Sequence, residues 1–337
     1  MQIETDNYFK INNLTTKINT DQGIITAVDD LCLNIERQEI FGLVGESGCG
    51  KTITARSILQ LLPKTAKITS GKIILEKSNL LDLNQSEIKR IRGKVISMIF
   101  QEPMTSLNPV FKIGTQIEEI LTAHFNNMSK YEREEKVINI LNQVGIPSPK
   151  MRLNNYPFQL SGGMRQRIMI AMALVCGNPK LLIADEPTTA LDVTIQAQIL
   201  DLIKNLVKNI GMSVLLITHD LGVIAETANR MAVMYAGSIV ETGFVKDLFM
   251  NPIHPYTRGL INSLSFQGES GKKQKLYSID GGVPDLIDLK PGCKFYDRCN
   301  YSKSDLCLGK EPDLIKLDKN HSVRCVITSE LNNKYGK

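Results

Sequence analysis

Apolar residues recur along this chain in two rhythms. Short uninterrupted runs, IFGLV at 40–44, LLIA at 181–184 and SVLLIT at 213–218, read as buried strands. The segment ITARSILQLLP spaces Ile53, Ile58, Leu59 and Leu62 as a helix does and stops at Pro63, and MRQRIMIAMALV is also helix-type. Residues 1 to about 92 are otherwise β-rich, with Leu31, Leu33 and Ile35 alternating with polar neighbours. From about 110 to 175 the pattern is helical. There MSKYEREEKVINILNQVGI carries Ser129 and, three positions on, Glu132, a capping box, followed by Val137, Ile140, Leu141 and Val144 on one face. The glycines of VMYAGSIVETG suggest a hairpin, the main domain ends near Leu264, and QGESGKKQK at 267–275 reads as a solvated linker.

Composition narrows the field. With 337 residues, 42% hydrophobic and 22% charged, the chain has room for one large domain and a smaller one. Its apolar stretches are interrupted before the roughly 20 residues that span a bilayer, so no crossing segment is expected. The opening MQIETDNYFKINN lacks the basic-then-apolar layout of a secretory signal, which points to a cytosolic protein. A net charge of +5, from 40 basic and 35 acidic residues spread along the chain, is too mild and diffuse for a reader of phosphate backbones. Seven cysteines in a cytosolic chain argue against disulfides.

Candidate chemistry begins where the first apolar run ends. GESGCGKT at 45–52 satisfies G-x-x-x-x-G-K-[ST] with Gly45, Gly50, Lys51 and Thr52, and it lies between a strand and a helix. Glu46, Ser47, Gly48 and Cys49 complete a loop whose backbone N–H groups, with the helix N-terminus, surround an anion where bulky side chains would block approach. Lys51 then reaches the terminal phosphates and Thr52 can ligate Mg²⁺. Asp185 and Glu186 close the LLIA run. Asp185 is placed to hold Mg²⁺ and Glu186 to take a proton from attacking water, although adjacent carboxylates at a strand end can also be a solvated turn. His219, after SVLLIT, is a candidate donor to the γ-phosphate; alone it would be an ordinary structural histidine.

Four of the cysteines, Cys293, Cys299, Cys307 and Cys325, are spaced C-x5-C-x7-C-x17-C in a tail too small to bury much core alone. A metal would supply the missing stability. Four thiolates suit Zn²⁺ or an iron–sulfur cluster, and the spacing does not choose between them; four reduced buried cysteines are the plainer alternative.

LSGGMRQR at 160–167, just upstream of the Asp185 strand, resembles the signature of ATP-binding cassette (ABC) ATPases. The resemblance implies an α/β P-loop NTPase (RecA-like) core with an antiparallel β subdomain and a helical subdomain. That nucleotide-binding domain would cover 1–264, its helical part about 93–175, followed by a linker at 265–278 and a small Cys-containing extension at 279–337. It also implies head-to-tail dimers in which Ser161, Gly162, Gly163 and Gln166 of one cassette close on the ATP held by the Lys51 loop of the other. Gln101 in IFQEPMTSLNP fits the Q-loop, meeting Mg²⁺ and the membrane partner; Asp192 fits the D-loop and His219 the switch histidine. One position departs from the pattern: the adenine-stacking aromatic falls near Ile18, with Tyr8 and Phe9 upstream.

The tail is similar to the C-terminal extension of peptide and nickel importer ATPases, some of which carry a [4Fe–4S] cluster on these cysteines. Here there is one extra residue between Cys299 and Cys307, and Val326 stands where a histidine often follows the last cysteine. The resemblance implies an ATPase subunit of a di- or oligopeptide importer, on the cytoplasmic face of the membrane. DEPTTALDVTIQAQI resembles the D-type member of a pair, so the implied partners are a paralogous F-type ATPase, two transmembrane permease subunits and an external solute-binding protein. Nickel or metal-chelate uptake is the alternative cargo. A soluble cassette acting on nucleic acid is disfavoured, because the chain has no tandem cassette, coiled-coil insert or concentrated basic face.

Overall fold

The structure, a computed structural model, describes residues 8–101, 106–189, 191–264, 278–287 and 289–328. All but the last residue of the expected linker at 265–278 lies outside the described residues. Among them, β1 (Phe9–Thr20) and β2 (Gly23–Ile35) come first, then β3 (Ile40–Val44), α1 (Lys51–Ile58), β4 (Ala66–Leu75) and β5 (Ser78–Asn79). There follow α2 (Gln85–Ile91), β6 (Ile96–Ile99), α3 (Ile113–His124), α4 (Lys130–Gln143), α5 (Gly162–Leu174), β7 (Leu181–Asp185), α6 (Val193–Ile210) and β8 (Ser213–Thr218). After them come α7 (Leu221–Thr227), β9 (Arg230–Tyr235), β10 (Ser238–Phe244), α8 (Val245–Met250), α9 (Pro255–Asn262) and the two-residue strands β11 (Ile315–Lys316) and β12 (Ser322–Val323).

Contacts divide the chain into two units, one of Met1–Ile35, Phe41–Leu81 and Thr218–Lys337, the other of Glu36–Ile40 and Asp82–Ile217. The first unit contains an antiparallel sheet ordered β2-β1-β4-β5, whose alternation turns Phe9, Ile11, Leu31, Leu33 and Ile35 inward, while a register irregularity after Ile11 lets β1 bury Leu14 as well. It also carries β3 parallel to β9, the β9–β10 hairpin, and then β12 and β11. The hairpin that the glycines suggested turns at Ala236 and Gly237, both at positive φ (45° and 86°), as a tight two-residue connection requires.

In the second unit β6, β7 and β8 are parallel, and their residues are almost all buried, which is why their sequences run apolar instead of alternating. The helices α3, α4 and α5 belong to this unit. Ser129 caps α4 as the sequence indicated: its Oγ accepts the Glu132 N–H at 3.3 Å and the Glu132 carboxylate accepts the Ser129 N–H at 2.7 Å. Val137, Ile140, Leu141 and Val144 are buried.

The tail gains its core differently from the expectation. β12 pairs with β10 through Glu241↔Val323 and Thr242↔Ser322, and Val323 packs with Ile253 and Ile327. Glu241 is fully buried, and its carboxylate accepts the Ile253 N–H at 2.8 Å, the His254 N–H at 3.0 Å and a 2.8 Å contact from His321 Nε2. Burial disfavours charge on His321, but the hydrogen bond and charge of Glu241 outweigh it and hold its pKa above the usual value. His254, pushed by burial down to about 4, is a neutral imidazole whose Nδ1 accepts the Tyr256 N–H at 3.1 Å. Pairing at the edge of an existing sheet and the apolar packing of Val323 with Ile253 and Ile327 therefore give the tail a core besides anything a metal would add.

Candidate nucleotide site

In the first unit, the loop after β3 is shaped by what a side chain would strike. A Cβ on Gly50, at φ 107°, would come within 2.2 Å of the Ala27 carbonyl oxygen, and one on Gly45 within 2.2 Å of the Met234 carbonyl oxygen. Ser47 and Gly48 face outward, whereas Cys49 is buried and its thiol pKa is raised by that burial despite the neighbouring Lys51. Lys51 opens α1 from inside the loop: its ammonium donates to the carbonyls of Gly45 at 2.7 Å and Glu46 at 2.9 Å. The half-buried Thr52 stands at the second position of that helix. A ring of backbone around one buried ammonium, at a helix start, is the arrangement that receives a phosphate chain.

Glu46 has partners that the sequence did not reveal. Its N–H donates to Tyr256 Oη at 3.0 Å, and its carboxylate accepts two hydrogen bonds from Arg298, at 2.7 and 3.1 Å. Arg298 is 252 positions away in sequence, in the tail, and only such a long-range contact identifies it.

In the second unit Asp185 is buried at the end of β7, and Glu186 follows with φ 49°, a left-handed conformation that a non-glycine residue adopts at a cost of order 1–3 kcal/mol. The Glu186 N–H donates to the Ile217 carbonyl at 2.8 Å, which fixes the turn. One carboxylate oxygen, Oε2, accepts from Gln101 Nε2 at 3.1 Å and from Thr189 Oγ1 at 2.9 Å. Gln101 and Glu186, singled out separately in the sequence, thus touch. Thr189 was missed; its only signal was a hydroxyl three residues beyond the carboxylate. Thr52, Gln101 and Asp185 each carry an oxygen donor, a hydroxyl, an amide and a carboxylate, of the kind Mg²⁺ takes.

The signature segment begins α5. Ser161 is its N-cap, with Oγ accepting the Met164 N–H at 3.3 Å, and Gly162 is part-exposed. A Cβ on Gly163 would meet Ile195 of α6 at 2.7 Å. Gln166, expected to face nucleotide, is only 2% exposed. Three and seven residues separate Gly163 from Gln166 and Ile170, so all three share the helix face that turns inward. Asp192 is exposed and caps α6, its carboxylate accepting the Ile195 N–H at 2.9 Å. In the first unit, His219 is exposed, one residue before Asp220, the cap of α7.

Stacking on a base needs a free ring face. Tyr8 is 3% exposed and Phe9 is fully buried, so neither offers one. Ile18 lies half-buried on β1, paired with Ile25 and Ala66.

The tail cysteines lie within electrostatic reach of one another. Burial is the main cause that pushes Cys293 up to about 12, Cys325 up to about 11 and Cys299 above its usual value, and neighbouring cysteines add to each shift. The Cys293 N–H donates to the Cys307 carbonyl at 2.8 Å. Among the described residues, however, no three or more His, Cys, Asp or Glu side chains are assembled to hold a metal ion. Cys307 is buried and Cys293, Cys299 and Cys325 are part-exposed, and their sulfurs are donors of the kind that Zn²⁺ or an iron–sulfur cluster takes.

The ABC transporter family profile matches residues 28–189, and the profile of the oligopeptide/dipeptide transporter C-terminal region matches 240–307. The oligopeptide transport ATP-binding protein AppD of Bacillus subtilis is 48% identical over 322 residues, covering 95% of this chain and 97% of that protein. The dipeptide transport ATP-binding protein DppD of the same organism is 48% identical over 94% of this chain and 93% of its own length. A probable peptide ABC transporter ATP-binding protein of Sinorhizobium fredii is 47% identical over 98% of both. Among solved structures, a dimeric ATP-binding cassette in a post-hydrolysis state bound to ADP and Pi superimposes with a TM-score of 0.62 at 29% identity, over 70% of this chain and 98% of that one. The chain belongs to the ABC transporter family, as an ATPase that carries the oligopeptide/dipeptide transporter C-terminal region.

Proposed function

We propose that this ATPase energises the import of di- or oligopeptides, and that the observation carrying its chemistry is the Glu186 carboxylate held by Gln101 and Thr189 at a strained strand end. The loop amides from Gly45 to Thr52 and the Lys51 ammonium receive the β- and γ-phosphates. Thr52, Asp185 and Gln101 would hold Mg²⁺, which supplies neutralising charge on the phosphates when bound. Glu186 takes a proton from the water that attacks the γ-phosphorus, ADP departs with the oxygen of the broken bond, and His219 donates to a γ-phosphate oxygen. Ser161, the amides of Gly162 and Gly163, and Asp192 belong to the surface that closes on a second cassette's ATP. Gln166 supports that surface from within.

The cargo reading rests on the three relatives above, whose names specify peptide, oligopeptide and dipeptide transport and never nickel. Among the described residues no helix is long and apolar enough to cross a membrane, so movement of cargo requires permease subunits. The proposed assembly adds a paralogous F-type ATPase and an external solute-binding protein, with this chain peripheral on the cytoplasmic face. Reconstituted in vesicles with those subunits, the complex is expected to accumulate labelled di- or oligopeptide only with ATP; uptake of nickel but not peptide would contradict the cargo assignment.

A metal on Cys293, Cys299, Cys307 and Cys325, as [4Fe–4S] or Zn²⁺, remains part of the proposal on the mutual approach of the four cysteines alone. Protein purified without oxygen is then expected to contain iron and sulfide, or zinc, and to lose it when Cys293 becomes Ser. Metal-free, fully folded protein would remove the metal from the account.

A further inference from the structure

The Glu46 side of the phosphate loop is held by the tail. Arg298 lies in the turn Tyr296–Arg298, beside Cys299, and its side chain is only 7% exposed. Besides its two bonds to Glu46, its Nε donates to the Asp280 carbonyl at 3.0 Å, and its guanidinium lies 5.7 Å from the Tyr235 ring centre and 5.9 Å from that of Phe295. Those rings pack with Tyr256, at 4.6 Å from Tyr235 and 5.4 Å from Phe295, and Tyr256 accepts the Glu46 N–H. Glu46 is thus gripped through its side chain by the tail, through its N–H by α9 and through its carbonyl by Lys51. Lys294 adds a further tie, donating to Asp29 at 2.7 Å and to Ser238 at 2.6 Å.

We propose that Arg298 is a positioning residue for ATP binding, through which the C-terminal tail sets the affinity of the phosphate loop. Two effects follow from its place. The bidentate bridge fixes the backbone of Glu46, whose carbonyl in turn orients the Lys51 ammonium. The guanidinium also neutralises a carboxylate that would otherwise repel a polyanion in the adjoining loop. Any event that displaces the Tyr296–Arg298 turn therefore reaches the nucleotide. This inference rests on the reading that the Lys51 loop binds nucleotide.

The test uses the full chain, with ATP affinity, KM and kcat measured for Arg298→Ala, Glu46→Gln and the double variant. Arg298→Ala is expected to weaken ATP binding about tenfold and raise KM equally, with kcat within about twofold. In the Glu46→Gln background the same change is expected to add little, because the carboxylate it neutralises is gone. An unchanged affinity, a loss of equal size in both backgrounds, or a fall in kcat as large as the change in affinity would each overturn the proposal. Should Arg298→Ala not fold, Arg298→Gln keeps the side chain's reach, removes its charge and takes its place under the same criteria. Lys51→Ala separates the two readings: if it binds ATP normally, the loop assignment fails, whereas if it alone loses ATP, only the tail's role fails.

Discussion

Glu186→Gln is expected to lower kcat for ATP hydrolysis by about a thousandfold while ATP still binds. Gln101 and Thr189 both donate to Oε2 of Glu186, so one oxygen is steadied by neutral donors and the carboxylate is oriented in advance. Glutamine keeps the size of the side chain and the turn set by the Glu186 N–H to Ile217, but it cannot take a proton from water. Phosphate release and nucleotide binding, measured on the same preparation, separate the two quantities. Hydrolysis near the unsubstituted rate would remove Glu186 as the general base.

Lys51→Ala is expected to weaken ATP binding by about a hundredfold or more, since hydrogen bonds to charged groups contribute roughly 1.5–3 kcal/mol each. The ammonium is buried and donates to the carbonyls of Gly45 and Glu46, so its loss also removes the internal support of the loop. Titration with ATP checks this directly, and an unchanged affinity would refute the loop's role.

Much of this was legible in sequence because it is local. β3 ends where the glycine loop begins, and the Asp185 strand ends at its carboxylate, since an uninterrupted apolar run marks a buried strand and its polar successor marks the strand's end. The helix after the loop was read to Pro63, yet α1 stops at Ile58. Gln60 takes φ 51°, the Leu61 N–H returns to the Arg56 carbonyl at 2.8 Å, and Gln60 Nε2 donates to the Leu80 carbonyl at 2.7 Å. A left-handed cap formed by glutamine instead of glycine carries no clear sequence signal. Asp192 and Ser161 were read for their place in motifs, and both serve as helix caps, which the same short polar side chains do well.

What stayed hidden depends on contacts far apart in the chain. The tail looked too small to fold without a metal because Glu241 and Val323, 82 residues apart, show no pattern that announces their pairing. The same holds for Arg298 and Glu46. Gln166 was hard to read for a different reason: the motif gives its order along the chain, whereas the helical period gives its direction, which in the single chain is inward.

The central claim is that each ATP pocket is completed by a second cassette. Sedimentation of Glu186→Gln protein, alone and mixed with the proposed paralogous ATPase, tests it most directly. The account predicts a cassette dimer that forms with ATP and separates when ATP is withdrawn; a species that stays monomeric in both mixtures at saturating ATP would contradict it.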